Sequence, residues 1–245
     1  MSISKAITTT SFCSVLLVAG CMTSEATKPQ RDPSVLEWAI TQDIRLNTLV
    51  DECGKVDSTL IKDGQQLKSQ WRKNYWKALN AADHEFNRLQ GAKIYTYNGE
   101  KISLPAAKLM VEKKQAALQE FNYQKRMPDK QIAFCQSRMT AFSTNQDGLG
   151  NPADAGRLAY LNELAAKAPM AAPGDVPSLA GNLSLATPGG ALYHIEKESA
   201  KNQCSDGKVL TLHNEHNREL YGVYCKGAAG YFVTCEWSDC STLGK

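Results

Sequence analysis

His213 and His216, with Glu215 between them, are the residues whose types most suggest chemistry in this chain. Two histidines and a glutamate are typical of zinc metalloproteases, whose motif places the histidines four residues apart on one helical face. Here the histidines are three residues apart, and the segment lies between two stretches with strand patterning. We therefore interpret it as a solvated turn, with metal binding as the weaker alternative, and assign no metal ligand.

No other segment carries a recognisable catalytic motif. The sequence contains no Gly-x-Ser-x-Gly elbow, Walker A loop or Rossmann glycine fingerprint. No pair of residues stands out as a general acid and base, so we assign no catalytic residue and expect no cofactor. Because catalytic groups can assemble in space from distant positions, an enzyme stays an open alternative.

The composition narrows the class of protein. Of the 245 residues, 42% are hydrophobic and 22% are charged, which argues against wholesale disorder and against a multi-span membrane protein. The net charge of +3 is too small to indicate a nucleic-acid partner. We expect a folded protein of one or two domains that binds no nucleic acid.

Residues 1–20 have the features of an export signal, with Lys5 near the start and a short apolar stretch over 12–19. That stretch is far shorter than the ~20 residues that span a bilayer as a helix. The segment ends in Leu17-Val18-Ala19-Gly20-Cys21, which resembles the lipobox of bacterial lipoproteins. The resemblance implies that Cys21 carries acyl chains such as palmitate and becomes the first residue of the mature chain. Because Met22 rather than aspartate follows, it also implies delivery to the outer membrane rather than the inner. We therefore expect a lipid-anchored protein of the cell envelope.

Residues 34–167 have helical patterning and follow a polar tether over 21–33. Apolar residues recur at steps of three and four in five stretches, which we predict as helices. The stretches cover 46–53, 67–89, 105–121, 132–142 and 152–167. Between the second and third, Asn98-Gly99 is the favoured two-residue turn of a β-hairpin. The pattern predicts a helical domain with a short hairpin inserted.

Residues 168–190 are predicted to be a linker. They hold four of the nine prolines and four glycines, with Asp175 as their one charged residue and no aromatic residue, so they cannot build a core. Residues 191–245 then alternate in polarity, with strand candidates over 192–198, 208–213, 219–225 and 230–237. The fold class predicted is α+β: an N-terminal helical domain followed by a small disulfide-rich antiparallel β module.

Six cysteines remain once Cys13 leaves with the export signal and Cys21 is acylated. They are Cys53, Cys135, Cys204, Cys225, Cys235 and Cys240. The exported compartment is oxidising, so an even number predicts three disulfides. Structural zinc is the weaker alternative, because the C-x2-C pairs of zinc modules are missing.

The predicted linker constrains the pairing of these cysteines. If no bridge crosses it, Cys53 pairs with Cys135, and three arrangements remain for the last four. Cys240 follows Cys235 after only four residues, and Cys204 precedes the second strand candidate. We favour Cys204–Cys225 together with Cys235–Cys240.

Four aromatic residues are weak candidates for a binding surface. Trp76 lies off the centre of the apolar stripe of its helix, within a stretch of interleaved basic and aromatic residues. Tyr221, Tyr224 and Trp237 belong to the β module, where aromatic residues either fill a thin core or line a recognition face. The alternative for each of them is an ordinary place in the core.

These observations favour a non-enzymatic binding or assembly protein that displays its β module as a recognition element. The expected partners are the membrane, through the lipid, and another envelope protein or a surface polymer. The alternatives are a hydrolase acting on peptidoglycan or a surface polymer, and an inhibitor of a lytic enzyme.

Overall fold

The computed structural model of the chain describes residues 29–167, 186–201, 204, 207–215, 217–226, 228–237 and 239–243. The export signal, the acylation site Cys21 and residues 168–185 of the predicted linker lie outside the described residues. Within them the chain has the predicted α+β fold, with helices first, a small hairpin among them, and a four-stranded antiparallel sheet near the C-terminus.

Helices account for most of the N-terminal part, as the apolar periodicity predicts. Their bounds, with the last one beyond the predicted linker, are α1 Ser34–Gly54, α2 Thr59–Leu89, α3 Leu104–Glu120, α4 Pro128–Ser143, α5 Ala155–Ala165 and α6 Leu192–Lys201. Helix α1 packs against α2, α3 and α4 and is the centre of the core. Helices α1 and α2 run antiparallel, and Gly64 of α2 lets them approach closely because a Cβ there would overlap the side chain of Val50.

The predicted hairpin is present as β1 Ile94–Tyr97 and β2 Glu100–Ser103. Asn98 and Gly99 both have positive φ, 49° and 80°, as a two-residue hairpin turn requires. Ser103 then ends the hairpin and begins α3, because its side chain accepts a hydrogen bond from the Ala106 amide at the helix N-terminus.

The second sheet is an antiparallel meander in chain order. Its strands are β3 Lys208–Glu215, β4 Arg218–Tyr224, β5 Tyr231–Glu236 and β6 Asp239–Thr242. The short strand β6 extends beyond the predicted strands, and it pairs with β5 so that Cys240 lies directly opposite Cys235.

The strand predicted over 192–198 is wrong, because these residues belong to helix α6. Ile195 and Ser199, four residues apart on one face of the helix, are buried, whereas the residues between them are exposed. The Glu219 carboxylate also accepts hydrogen bonds from the Gly190 and Ala191 amides just before the helix, at 3.1 and 3.4 Å. Buried residues at a step of four have the spacing of a helix face and not the alternation of a strand.

Both faces of the four-stranded sheet are covered. On one face Leu210, Leu212, Leu220 and Phe232 join the same apolar core as the helices, and the ring of Tyr95 in the hairpin lies 5.3 Å from that of Phe232. On the other face Tyr221, Val223 and Val233 pack with Ile195 of α6. The two parts of the chain therefore touch through the hairpin and through α3, while their division into separately folding domains stays a prediction.

None of the helices within the described ranges is both long enough and apolar enough to cross a membrane.

Candidate binding face at the hairpin tips

The ends of three hairpins surround one shallow depression. It has a volume of about 430 Å³ and is lined by Asn98, His213, Glu215, Arg218 and Glu236. Asn98 comes from the tip of the β1–β2 hairpin, and the others come from the ends of β3, β4 and β5. Trp237 follows Glu236 directly in the chain. We call these six residues the hairpin-tip face.

Strand register brings the tips together. Arg218 pairs with Glu215 across one turn and with Glu236 on the other side, so the β3–β4 and β5–β6 turns lie at the same end of the sheet. The register of β3 shifts between Thr211 and His213, which leaves one extra residue, Leu212. At such a bulge the strand bends and a side chain is redirected. Leu212 is buried, whereas the His213 ring lines the depression beside Tyr97, with 5.8 Å between ring centroids.

Trp237 has an unusual backbone and an unusual environment. Its φ is +51°, a conformation that bulky residues rarely adopt. Its amide donates to the Asn217 carbonyl of the neighbouring turn at 3.1 Å, so the two tips are tied together. Its side chain is 76% exposed, the highest value among the large apolar side chains of the described residues. The fold thus holds a large aromatic group in solvent on a constrained turn.

Both signs of charge are present at the hairpin-tip face. Arg218 lies 3.4 Å from the Glu236 carboxylate, and both side chains are more than half exposed, so this ion pair contributes little to stability. Glu215 adds a second carboxylate. Beneath them, burial raises the pKa of the Tyr97 hydroxyl, which therefore stays protonated at neutral pH. The face can offer donors, acceptors and an aromatic surface to a partner.

The other aromatic candidates are placed differently. The Tyr221 ring is fully buried, and its hydroxyl donates to Glu219 at 2.5 Å. The Tyr224 hydroxyl donates to the Leu104 carbonyl at 3.1 Å and fastens the sheet to α3. Trp76 is half-buried on α2 against the helical core. Of the four residues, only Trp237 lies at the hairpin-tip face, and Tyr221 presents no surface to a partner.

The six cysteines form three disulfides, and the pairs are those that the sequence favours. Cys53–Cys135 joins the end of α1 to α4, with 5.6 Å between Cα atoms. Cys204–Cys225 joins a residue three positions beyond the end of α6 to the residue after β4, and Cys235–Cys240 bridges the paired strands next to Trp237. The last of these constrains the turn that carries the exposed indole.

His213 lines the depression, while its partner in the sequence pattern, His216, lies outside the described residues. In the described part of the chain, no three His, Cys, Asp or Glu side chains are grouped so that they could hold a metal ion.

Sequence reasoning missed most of the depression. The Asn98-Gly99 pair signals a turn, but nothing local shows that this turn lies beside Arg218, more than a hundred residues away. It also missed two buried carboxylates between α1 and α2, those of Asp43 and Asp83, which are each 6% exposed. A sequence pattern could have indicated these buried aspartates, because each is followed four residues later by an asparagine on the same face of its helix.

Comparisons of the chain with protein-family models, with curated proteins and with solved structures give no match.

Proposed function

We propose that this chain is a lipid-anchored, non-enzymatic binding or assembly protein of the cell envelope, and that the hairpin-tip face is its recognition surface. The observation that carries the proposal is Trp237, an indole exposed to solvent on a left-handed turn. Strained backbone in a folded protein is a reason to look for function at that residue.

The chemistry of the face suits a protein partner. Tryptophan and arginine are the residues most enriched among those that dominate binding energy at interfaces, and Trp237 and Arg218 belong to neighbouring turns. Carboxylates on either side of Arg218 would set the orientation of the partner through charge complementarity. The disulfide Cys235–Cys240 holds the turn before binding, which reduces the entropy lost when the complex forms.

The lipid anchor places this surface at a membrane. Acylation of Cys21, implied by the lipobox resemblance, would keep the protein in the envelope and restrict its partners to that compartment. Another envelope protein is the partner we favour, and a surface polymer is the alternative.

An aromatic photocrosslinking amino acid at position 237, which keeps a large aromatic side chain on the turn, tests the proposal in cells. We expect a discrete adduct at 237, and its loss when Arg218→Glu reverses the charge beside it. The matched control is the same crosslinker at Tyr193, an aromatic residue that is 68% exposed on α6, which packs on the other face of the sheet. Equal adducts at 193 and 237, or adducts that Arg218→Glu leaves unchanged, would contradict the proposal.

Trp237→Asn separates binding from folding. Asparagine tolerates positive φ, so this variant keeps the turn while it removes the indole. We expect the thermal unfolding of this variant to match that of the native chain. The partner identified by crosslinking should no longer co-purify with it.

A further inference from the structure

Helix α2 carries two parallel rows of side chains beside the end of α4. Gln66, Gln70 and Asn74 form a row of side-chain amides at steps of four residues, and Leu67, Trp71 and Tyr75 form an apolar row beside it. The two rows line a groove of about 340 Å³, at the small end of the range for ligand sites. This groove shares no residue with the hairpin-tip face.

The opposite wall of the groove comes from the end of α4 and the loop after it. Phe142, Ser143 and Asn145 line this wall. The Tyr75 hydroxyl donates to Asn145 at 3.0 Å, which ties the wall to α2. Two residues further on, Asp147 accepts hydrogen bonds from Arg45 of α1 at 2.8 and 3.1 Å. Both walls of the groove are therefore fixed by hydrogen bonds within the fold.

The spacing of the amides matches an extended peptide. Steps of four residues on a helix advance by about 6 Å. An extended peptide repeats every two residues, over about 6.6–6.8 Å. A side-chain amide offers both a donor and an acceptor, as a peptide group requires. Gln66, Gln70 and Asn74 are all exposed, and Gln70 already donates to Asn74 at 2.9 Å, so the row is ordered along the helix.

The apolar row provides a place for one side chain of such a peptide. Tyr75 and Leu67 are half-buried, and the Trp71 ring packs edge-on against Phe142 at 5.6 Å. The indole N–H of Trp71 is buried without a hydrogen-bond partner among the described residues.

The charged residues that line the groove restrict the kind of ligand that it can bind. Among the described residues that line the groove there is one carboxylate, that of Asp63, and no lysine or arginine. Asp63 precedes the amide row near the start of α2, so it lies at one end of the groove. The lining favours a ligand that is neutral along its length and basic at the end facing Asp63.

We propose that this groove binds an extended peptide segment, with its backbone along Gln66, Gln70 and Asn74, an apolar side chain beside Tyr75, and a basic side chain at Asp63. The site is additional to the recognition surface proposed above and does not depend on it.

Panning a library of displayed random heptapeptides on the full chain tests the proposal. We expect enriched peptides that share one basic residue and, further along the peptide, one apolar residue. An enriched peptide, labelled with fluorescein, should bind the full chain with an affinity that Gln66→Ala together with Asn74→Ala lowers about tenfold or more, measured by fluorescence anisotropy. Both positions are exposed on a helix, where alanine is well tolerated, so the variant should fold as the native chain does.

The matched control is Gln65→Ala, an exposed glutamine next to Gln66 that does not line the groove, and it should leave the affinity unchanged. Trp237→Asn should also have no effect, which separates this site from the hairpin-tip face. Failure to enrich peptides, or equal affinities for the double variant and the control, would overturn the proposal. Displacement of the peptide by triacetylchitotriose would overturn it in favour of a saccharide site.

Discussion

At the scale of single residues, the most unusual groups are the two carboxylates buried between α1 and α2. Asn47 donates to one oxygen of Asp43 at 2.9 Å and the Arg72 guanidinium lies 3.6 Å from it, while the other oxygen has no partner among the described residues. Burial raises the pKa of Asp43 despite Arg72. Burial also raises the pKa of Asp83 to about 7, and the nearby charge of Asp43 adds to this effect. Relative to water, burial disfavours the charged form of both carboxyl groups.

We expect the free energy of unfolding to depend on pH through Asp83. The folded chain keeps this proton up to about pH 7, whereas the unfolded chain loses it near pH 3.8. Stability from this group is therefore fully present below pH 3.8 and is lost as pH rises towards 7, by up to about 4 kcal/mol. Asp83→Asn should remove this loss, so that urea unfolding at pH 8 shows the variant to be more stable than the native chain.

The comparison between the native chain and Asp83→Asn isolates Asp83 together with its coupling to Asp43, because the remaining carboxylates contribute equally to both proteins. At pH 4 the free energies of unfolding of the native chain and of Asp83→Asn should differ much less than at pH 8. If instead they differ by the same amount at pH 4 and pH 8, Asp83 does not carry a raised pKa.

At the scale of elements, Glu219 of β4 holds the start of helix α6 against the sheet. Glu219 of β4 accepts from two amides just before the helix, where a negative charge is favoured by the helix dipole. The same carboxylate accepts from the buried Tyr221 hydroxyl, so one side chain connects the sheet to the start of α6.

Glu219→Ala should destabilise α6 more than the rest of the sheet. Loss of these hydrogen bonds should cost about 1–2 kcal/mol, measured as faster amide hydrogen exchange in residues 192–200. Glu236→Ala is the control, because Glu236 is an exposed carboxylate on the neighbouring strand and contacts Arg218 only at 3.4 Å. Similar exchange in the two variants would show that Glu219 does not hold the helix.

The disulfide Cys53–Cys135 should contribute more to stability than Cys235–Cys240. The first closes a loop with a sequence separation of 82, the second one with a separation of 5. On the chain-entropy model, replacing both cysteines of a pair by serine should cost about 4–5 kcal/mol for the first and about 2 kcal/mol for the second. Urea denaturation of the two double variants gives both values, and a larger loss for the Cys235–Cys240 variant would contradict this expectation.

At the scale of the whole molecule, the sheet lies between the helical part and α6, with its hairpin tips left open. The start of the described chain is fastened to α5, since the Gln30 amide donates to the Gly156 carbonyl at 3.0 Å and Arg31 lies 3.1 Å from Glu163. The predicted tether therefore meets the folded part at α5, and the hairpin-tip face lies on different elements.

Cys21→Ser should release the protein from membranes, because the lipobox then lacks its acylation site. Membranes washed to remove peripheral proteins should retain the native chain and not the variant. Cys13→Ser is the control, since Cys13 is expected to leave with the export signal. Retention of both variants would mean that another feature anchors the protein.

Local patterns in the sequence were sufficient for much of the fold. The helical periodicity around Trp71, the Asn98-Gly99 turn and the spacing of the cysteines each reflect interactions between near neighbours or a simple count, and the described helices, hairpin and disulfides agree with them. For the same reason the sequence could nominate Trp237, but it nominated Tyr221 equally, because strand alternation does not reveal which face another element covers.

Contacts between residues far apart in the sequence account for the features that local patterns do not predict. Residues 192–201 form a helix whose buried residues, Ile195 and Ser199, lie four apart and face the sheet, and Glu219 of β4 accepts hydrogen bonds just before its start. The hairpin-tip depression brings Asn98 close to Arg218 and Glu236. The groove brings Tyr75 close to Asn145. These residues are too far apart in the sequence for a local pattern to predict their contact. The raised pKa of Asp83 likewise depends on burial between two helices. Burial and proximity arise when elements pack, so these features of the protein are properties of the assembled fold.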